Sequence, residues 1–342
     1  MRSIFVLFVL ILTVACSSSG EPVSIDASES VPALELTLID PPLNLPADLA
    51  RFAVNVPYDQ GDERVFDIFL PDSDTATPLI IYFHAGGFTQ GNKEEIYLLS
   101  SSLIATMLEN GIAFASANYR LLGGNEEEGV IGPLRDGQRA LQYIRYQAEN
   151  LNIDPNNIAL MGTSAGAGMS LWIAMADDRS DASNNDPILR QSTRVNAVAT
   201  LETQASYDLS RWETDVFPSF GITLAAMTQD ENLLSRILQF YAISDADQMF
   251  TEAGEQYRRE VDMLAMLSAD DPEFFVRNIF FPQNPELDDI GALFHHPSHA
   301  QALVSQANAA GVSVVADLPT IPSIGSSDEG LTAFLLRHLN AN

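Results

Sequence analysis

The chain has 342 residues, 46% of them hydrophobic and 8% aromatic, enough to bury a full core. Its 46 acidic against 17 basic side chains give a formal charge of −29, which excludes nucleic acid as a partner, because phosphate-backbone binding rests on clustered Lys and Arg. No block of like charge stands out, so the acidity reads as a strongly hydrated surface.

The first twenty residues, MRSIFVLFVLILTVACSSSG, hold Arg2, an apolar run from Ile4 to Val14, then Ala15 and Cys16. That run is too short to span a bilayer, which takes about 20 apolar residues, and it fits an export signal. It resembles a bacterial lipoprotein signal over 1–15, in which a small residue precedes the cysteine that becomes the lipidated N-terminus. Thr13 stands where that family usually has Leu. Cys16 is the only cysteine, so an intrachain disulfide is excluded, and the resemblance implies a lipid anchor at Cys16 on a bacterial envelope membrane. A Ser-rich segment over 16–32 reads as a flexible tether.

From Leu34 onward short apolar strands alternate with amphipathic helices, the pattern of an α/β domain with a mostly parallel sheet. Arg51 to Val56 and Val65 to Leu70, separated by YDQGDE, predict an antiparallel start. PLIIYFHAGG predicts a buried strand running into glycines, and Lys93 to Asn110 one helix stopped by Gly111. IAFASANYR predicts a further strand, Pro133 to Leu151 a helix, and IALMG the next strand, with a helix from Ala165.

That last crossing contains GTSAG, Gly162 to Gly166. A strand, Gly-x-Ser-x-Gly and a helix describe a nucleophile elbow, in which the glycines allow a sharp turn and the helix N-terminus favours developing negative charge. Ser164 is the candidate nucleophile. Upstream, HAGGF at His84 to Phe88 ends an earlier strand, and backbone N–H groups in such a glycine loop can receive the oxyanion of an acyl-transfer intermediate. Gly86 and Gly87 are expected to donate there, with Ala165 as the third donor.

These motifs, with FDIFLP, NYRL and DGQRALQYIR, resemble the carboxylesterases of the α/β-hydrolase fold, near the hormone-sensitive-lipase-like group and its polysaccharide-associated esterase relatives. The resemblance spans about residues 52–339. It implies an α/β-hydrolase domain over 33–342, a mostly parallel central sheet flanked by helices, a helical lid insertion over 204–271, a small-molecule ester substrate and no cofactor. Ala85 replaces the first glycine of the family's His-Gly-Gly-Gly, and His84 is implied to hold the loop. Within the insertion Tyr207 and Trp212 are candidates to line a pocket, although most of its apolar residues are expected to pack its helices onto the body.

The resemblance also implies an acid after the next strand, placed at Phe274 to Asn278. Asp289 is the first choice and Asp288 the second, with the family's acid often falling near Ala292. After the last strand, VSVVADL, Ser326 to Glu329 reads as a capping box for a final helix faced by Leu331, Phe334, Leu335 and Leu339. The family's catalytic histidine precedes that helix, where this chain has Ser323 or Ile324, and the loop is expected to hold those residues near Ser164. His338 is expected on the outer face. A serine hydroxyl is a poor nucleophile without a base, so two readings stand. In one, His295, His296 or His299 supplies the base, against the plainer reading of HHPSH as a helix entry. In the other, the chain is a degenerate hydrolase, a binding or structural lipoprotein. Acetylated sugar, short acyl ester and lactone all fit as substrates, and no metal is implied.

Overall fold

The computed structural model describes residues 31–46, 48–123 and 127–339. The signal, Cys16 and nearly all of the tether therefore lie outside the described residues. The chain opens with β1 (Leu38–Ile39), β2 (Ala50–Pro57) and β3 (Val65–Pro71), paired antiparallel. β4 (Thr77–Phe83) is buried along nearly its whole length and delivers the chain to His84. The stretch expected as one helix is two, α1 (Glu95–Leu99) and α2 (Ser101–Glu109), broken at Ser100 where φ is −141°. The break follows from a buried anchor. Asp67 on β3 accepts from Tyr97 Oη at 2.8 Å and pairs with the buried Lys93 Nζ at 3.1 Å, which ties α1 to β3.

β5 (Ala113–Ala117), α3 (Ile131–Tyr146), α4 (Ala148–Leu151), β6 (Ile153–Thr163), α5 (Ala165–Ala174) and β7 (Ala197–Leu201) follow. Between β7 and β8 (Phe274–Arg277) lie a π-helical turn at Trp212–Val216, α6 (Leu224–Gln229), α7 (Glu231–Phe240), a 3₁₀ turn at Ala246–Phe250, α8 (Glu252–Glu260) and α9 (Met263–Met266). The chain ends with α10 (Ile290–His295), α11 (Pro297–Ala310), β9 (Val314–Ala316) and α12 (Leu331–Leu339).

The strands form one sheet in the order β1-β2-β3-β5-β4-β6-β7-β8-β9, antiparallel up to β5 and parallel from β5 through β9. Parallel strands buried on both faces read as continuous apolar runs, as LIIYF and IALM do. Leu79, Ile81 and Phe83 belong to the core on the side of α3 and α5, and Ile80, Tyr82 and Phe114 to the core on the side of α2 and α12. All carboxyl ends of the parallel strands open on one edge, where ligands of open α/β sheets bind.

One feature of the last segment departs from expectation. The capping box before α12 does not close. Ser327 Oγ accepts from Glu329 N, and the Glu329 carboxylate turns to Arg337 at 2.8 Å, a charge-assisted bond that outcompetes a backbone amide. His338 pairs with Glu273 at 3.1 Å, away from Ser164.

A buried carboxylate locks the start of α3. Asp136, 2% exposed, accepts from Arg64 Nε at 3.0 Å and from Arg120 at 2.8 and 2.9 Å. Removing one partner of a buried pair strands the remaining charge, so Asp136→Ala should lower the unfolding free energy by about 3 kcal/mol, read from the shift of the urea midpoint at constant m-value.

Candidate active site

Ser164 sits between β6 and α5 with φ +54° and ψ −118°, a conformation that L-residues rarely adopt. Such strain costs roughly 1–3 kcal/mol and persists only where the surroundings impose it. Here they do. Ser164 N donates to Leu201 O of β7 at 2.8 Å, and Gly168 N to Ser164 O at 3.0 Å. A Cβ on Gly162 would meet the carbonyl carbon of Gly166 at 2.2 Å, and one on Gly166 would meet Phe83 O at 2.0 Å. The two glycines of the motif are thus demanded by the contact between the turn, its own helix and the end of β4.

The glycine loop after β4 adopts the same kind of backbone, with φ +119° at Gly86 and +62° at Gly87. Gly86 O accepts from Thr89 N and Gln90 N at 3.0 and 3.2 Å, while the N–H groups of Gly86 and Gly87 donate to no acceptor among the described residues. Those two amides line the same cavity as Ser164 and Ala165. His84, 1% exposed, donates through Nδ1 to Ala85 O at 2.7 Å and stacks on Tyr119 with centroids 4.2 Å apart. Burial pushes its pKa down to about 4, so it stays neutral. It braces the loop and does not line the cavity.

The histidine in reach of Ser164 is His295. Its Nε2 lies 2.8 Å from Ser164 Oγ, and its Nδ1 lies 3.1 Å from Gly291 O. A carbonyl only accepts, so the Nδ1 carries the proton. Burial holds the pKa below its ordinary value of 6.5, only partly opposed by the Gly291 hydrogen bond, so the ring is neutral and Nε2 presents a free lone pair to the serine hydroxyl. The imidazole is placed by the C-terminus of α10. There the Phe294 carbonyl accepts from Gln204 Nε2 at 2.8 Å and the His295 carbonyl from Asn278 Nδ2 at 3.3 Å. Gln204 and Asn278 follow β7 and β8, so the sheet ends receive the free carbonyls that a helix terminus leaves.

His296 and His299 serve the fold. His296 caps α11, its Nδ1 accepting from Ser298 N at 3.1 Å. His299 is fully buried, accepts from Ala205 N at 3.2 Å, donates to Leu293 O at 3.0 Å and has its pKa pushed down to about 3 by burial.

Asp289 does not contact the histidine and is corrected as the acid. Its carboxylate caps the other end of α10, accepting from Ala292 N at 3.0 Å and Gln283 Nε2 at 3.2 Å, and the Ala292 bond keeps its pKa low. Asp288 is exposed. The orienting group on Nδ1 is therefore a backbone carbonyl. Ser323 and Ile324 belong to a turn closed by the Leu318–Gly325 bridge, and neither lines the cavity of Ser164. The histidine comes from the end of α10, in the segment after β8, one strand earlier than the resemblance implied.

The cavity holds about 560 Å³, and its wall is largely apolar: Phe88, Leu209, Leu233, Ile237, Phe240 and Phe294. Tyr207 and Trp212 line it too, but as framework. Tyr207 Oη donates to Ala165 O at 2.9 Å, and Trp212 Nε1 to Ser206 O at 2.8 Å. Sequence reasoning missed Glu202, the carboxylate of the wall. It has φ +53°, is 5% exposed and accepts from Ile279 N at 2.8 Å and Phe280 N at 3.5 Å. Burial raises its pKa. Glu202 pins the segment that carries Phe281, whose ring tilts against His295 at 5.4 Å. An acidic residue directly after the apolar VATL was its only signal.

Strained serine, apposed imidazole, open amide pair and sheet order together define an α/β-hydrolase of the carboxylesterase type. The chain belongs to the BD-FAE family, whose model matches residues 66–238, just over half of its length. Ser164 and the glycine loop fall inside that span, and His295 beyond it. Among curated proteins the chain is similar to a carboxylesterase, patB, of Penicillium expansum, 29% identical over 136 residues, and to an acetylxylan esterase of Xylanibacter ruminicola, 31% identical over 125 residues. These matches take in 33% and 36% of this chain and 24% of each relative. In fold it is similar to a truncated carbohydrate esterase from gut microbiota (TM-score 0.55, 18% identity, 80% of this chain and 88% of that one). Esterase B of Lactobacillus rhamnosis gives a TM-score of 0.55 at 17% identity, over 88% and 89% of the two chains.

His295→Ala should cut hydrolysis of an activated ester by about 10² to 10⁴, whereas His296→Ala, once folded, should retain wild-type kcat. Because the imidazole pKa is lowered, the base stays unprotonated to lower pH, and the acid limb of kcat/KM should fall below pH 6.5. Stopped-flow or plate-reader rates across pH 4 to about 8 check both.

Proposed function

We propose that the protein is a serine carboxylesterase in which Ser164 is the nucleophile and His295 the base, acting as a pair without a carboxylate on the imidazole. The observation that supports this best is the 2.8 Å contact between Ser164 Oγ and His295 Nε2, made while Nδ1 is committed to Gly291. That contact favours an active enzyme over a degenerate binding scaffold. Ser164 Oγ attacks the ester carbonyl as its proton passes to Nε2. The N–H groups of Gly86, Gly87 and Ala165 receive the oxyanion, each such donor being typically worth about 10² to 10³ in rate. The imidazolium returns the proton to the departing alcohol. Water then attacks the acyl-serine with His295 as base again, releasing the acid.

A neutral carbonyl on Nδ1 fixes the tautomer but stabilises the imidazolium less than a carboxylate would, so the rate should lie below that of a full triad. The apolar wall favours an acyl chain longer than acetyl, on an alcohol small enough for the 560 Å³ cavity. Each buried methylene contributes about 0.8 kcal/mol, roughly fourfold. With p-nitrophenyl esters, kcat/KM should rise by roughly fifteenfold from acetate to butyrate, and Ser164→Ala should abolish turnover. A flat or falling series would assign the wall to another part of the substrate, and unchanged turnover in Ser164→Ala would end the proposal.

The N-terminal signal is proposed to place this enzyme on a bacterial envelope membrane through a lipid on Cys16. Wild-type protein expressed in a bacterial host should enter the detergent phase, and Cys16→Ser should stay aqueous. Equal partitioning of the two would refute the anchor.

A further inference from the structure

A second cavity, also about 560 Å³, lies apart from the esterase site and shares no lining residue with it. One face of α3 forms its wall, with Arg135, Gln138, Arg139 and Gln142 at helical spacing, and Arg120, Trp172 and Arg179 close it. Four of the 17 basic residues of a strongly acidic chain thus converge on one hollow.

Three of the four are neutralised. Arg120 pairs with Asp136 at 2.8 Å, Arg139 with Asp59 at 3.0 Å and Asp186 at 2.8 Å, and Arg135 with Glu128 at 2.5 Å. Arg179 forms no ion pair among the described residues. It lies flat on the Trp172 indole, 3.5 Å from the ring centroid, a contact that immobilises a guanidinium without cancelling its charge.

Its remaining partner is also neutral, and deliberately oriented. Gln142, fully buried, donates through Nε2 to Gln191 O at 2.7 Å, so its Oε1 faces Gln138. Gln138 Nε2 donates to that oxygen at 3.2 Å, so Gln138 Oε1 faces Arg179 and accepts from Nη1 at 3.2 Å. The relay fixes the guanidinium and supplies no negative charge. Desolvation, and then repulsion from Arg135, lower the Arg179 pKa to about 10, against the attraction of the Glu260 carboxylate. Glu260 also lines the hollow but is held by Gln256 Nε2 at 2.9 Å and forms no ion pair with Arg179.

We infer that this cavity is a binding site for a small hydroxylated carboxylate, with the ligand carboxylate on the free edge of Arg179 beside Arg135. A monoanion matches the one guanidinium of this wall that forms no ion pair among the described residues. A planar carboxylate suits a guanidinium edge, to which it can bond twice. Asp59 and Glu260 on the same wall accept hydroxyl donors and oppose a dianion such as phosphate.

The test uses sodium D-glucuronate as the probe on the mature protein, with D-glucose and ionic-strength-matched sodium chloride as controls. Glucuronate should raise Tm saturably, as a ligand binding only the native state does, and neither control should. Arg179→Gln, with native circular dichroism and wild-type ester turnover, should weaken binding at least tenfold. No saturable shift, or an equal shift in Arg179→Gln, overturns the inference. If Arg179→Gln does not fold, Arg135→Gln replaces it, since that side chain is 55% exposed. Affinity unchanged in Arg135→Gln overturns the inference equally.

Discussion

The close approach of Gly166 to the Phe83 carbonyl is the constraint on which the site depends. A side chain there would stand 2.0 Å from that oxygen, so α5 can start directly over the end of β4 only because the residue is glycine. That approach brings Ala165 N beside the glycine loop after β4, and it leaves Ser164 at positive φ, lifted above the sheet. The strain is supported from the other side by β7, through the bond from Ser164 N to Leu201 O. Three adjacent strands therefore define one serine, and none of the three can shift without moving it.

The imidazole of His295 is held by a different logic. α10 is short, and its value lies in its two ends. Asp289 caps the first, while Gln204 and Asn278 receive the carbonyls of the second. The helix is thereby fixed along its axis, and His295 at its last turn meets Ser164 with a backbone carbonyl of the same helix on Nδ1. An aspartate that could have served as the acid is used to position the helix instead. The economy has a chemical cost, since a carbonyl orients the imidazole but adds no charge to stabilise its protonated form.

Burial separates the histidines by function. His84, His296 and His299 each satisfy a ring nitrogen within the protein, and burial pushes the pKa values of His84 and His299 down to about 4 and 3. They are neutral hydrogen-bonding units of the fold. His295 alone among the four has a ring nitrogen on the serine. The helices between β7 and β8 add the apolar wall, and Tyr207 ties them to the elbow through its bond to Ala165 O.

How much of this was legible in the chain depends on the range of the forces involved. The elbow, the glycine loop and the parallel sheet were readable because each is enforced by short-range sterics. A Cβ at Gly162, Gly166 or Gly86 would collide with backbone, Gly87 stands at positive φ, and buried strands must be apolar along their length. His295 was visible only as one of three histidines in HHPSH. Which of them meets Ser164 is decided by the rotation of α10 and by its contacts with residues about 90 positions away in the chain, as Gln204 to Phe294 illustrates. The same holds for Asp289, whose carboxylate could cap a helix or orient an imidazole until the fold made Ile290 to His295 a helix, with Asp289 at one end and the imidazole at the other. Local covalent and steric rules determined the strained serine and the open amides of the glycine loop, and only the packing of distant segments decided which histidine meets that serine, because hydrogen-bond partners at long sequence separation leave no periodicity to read.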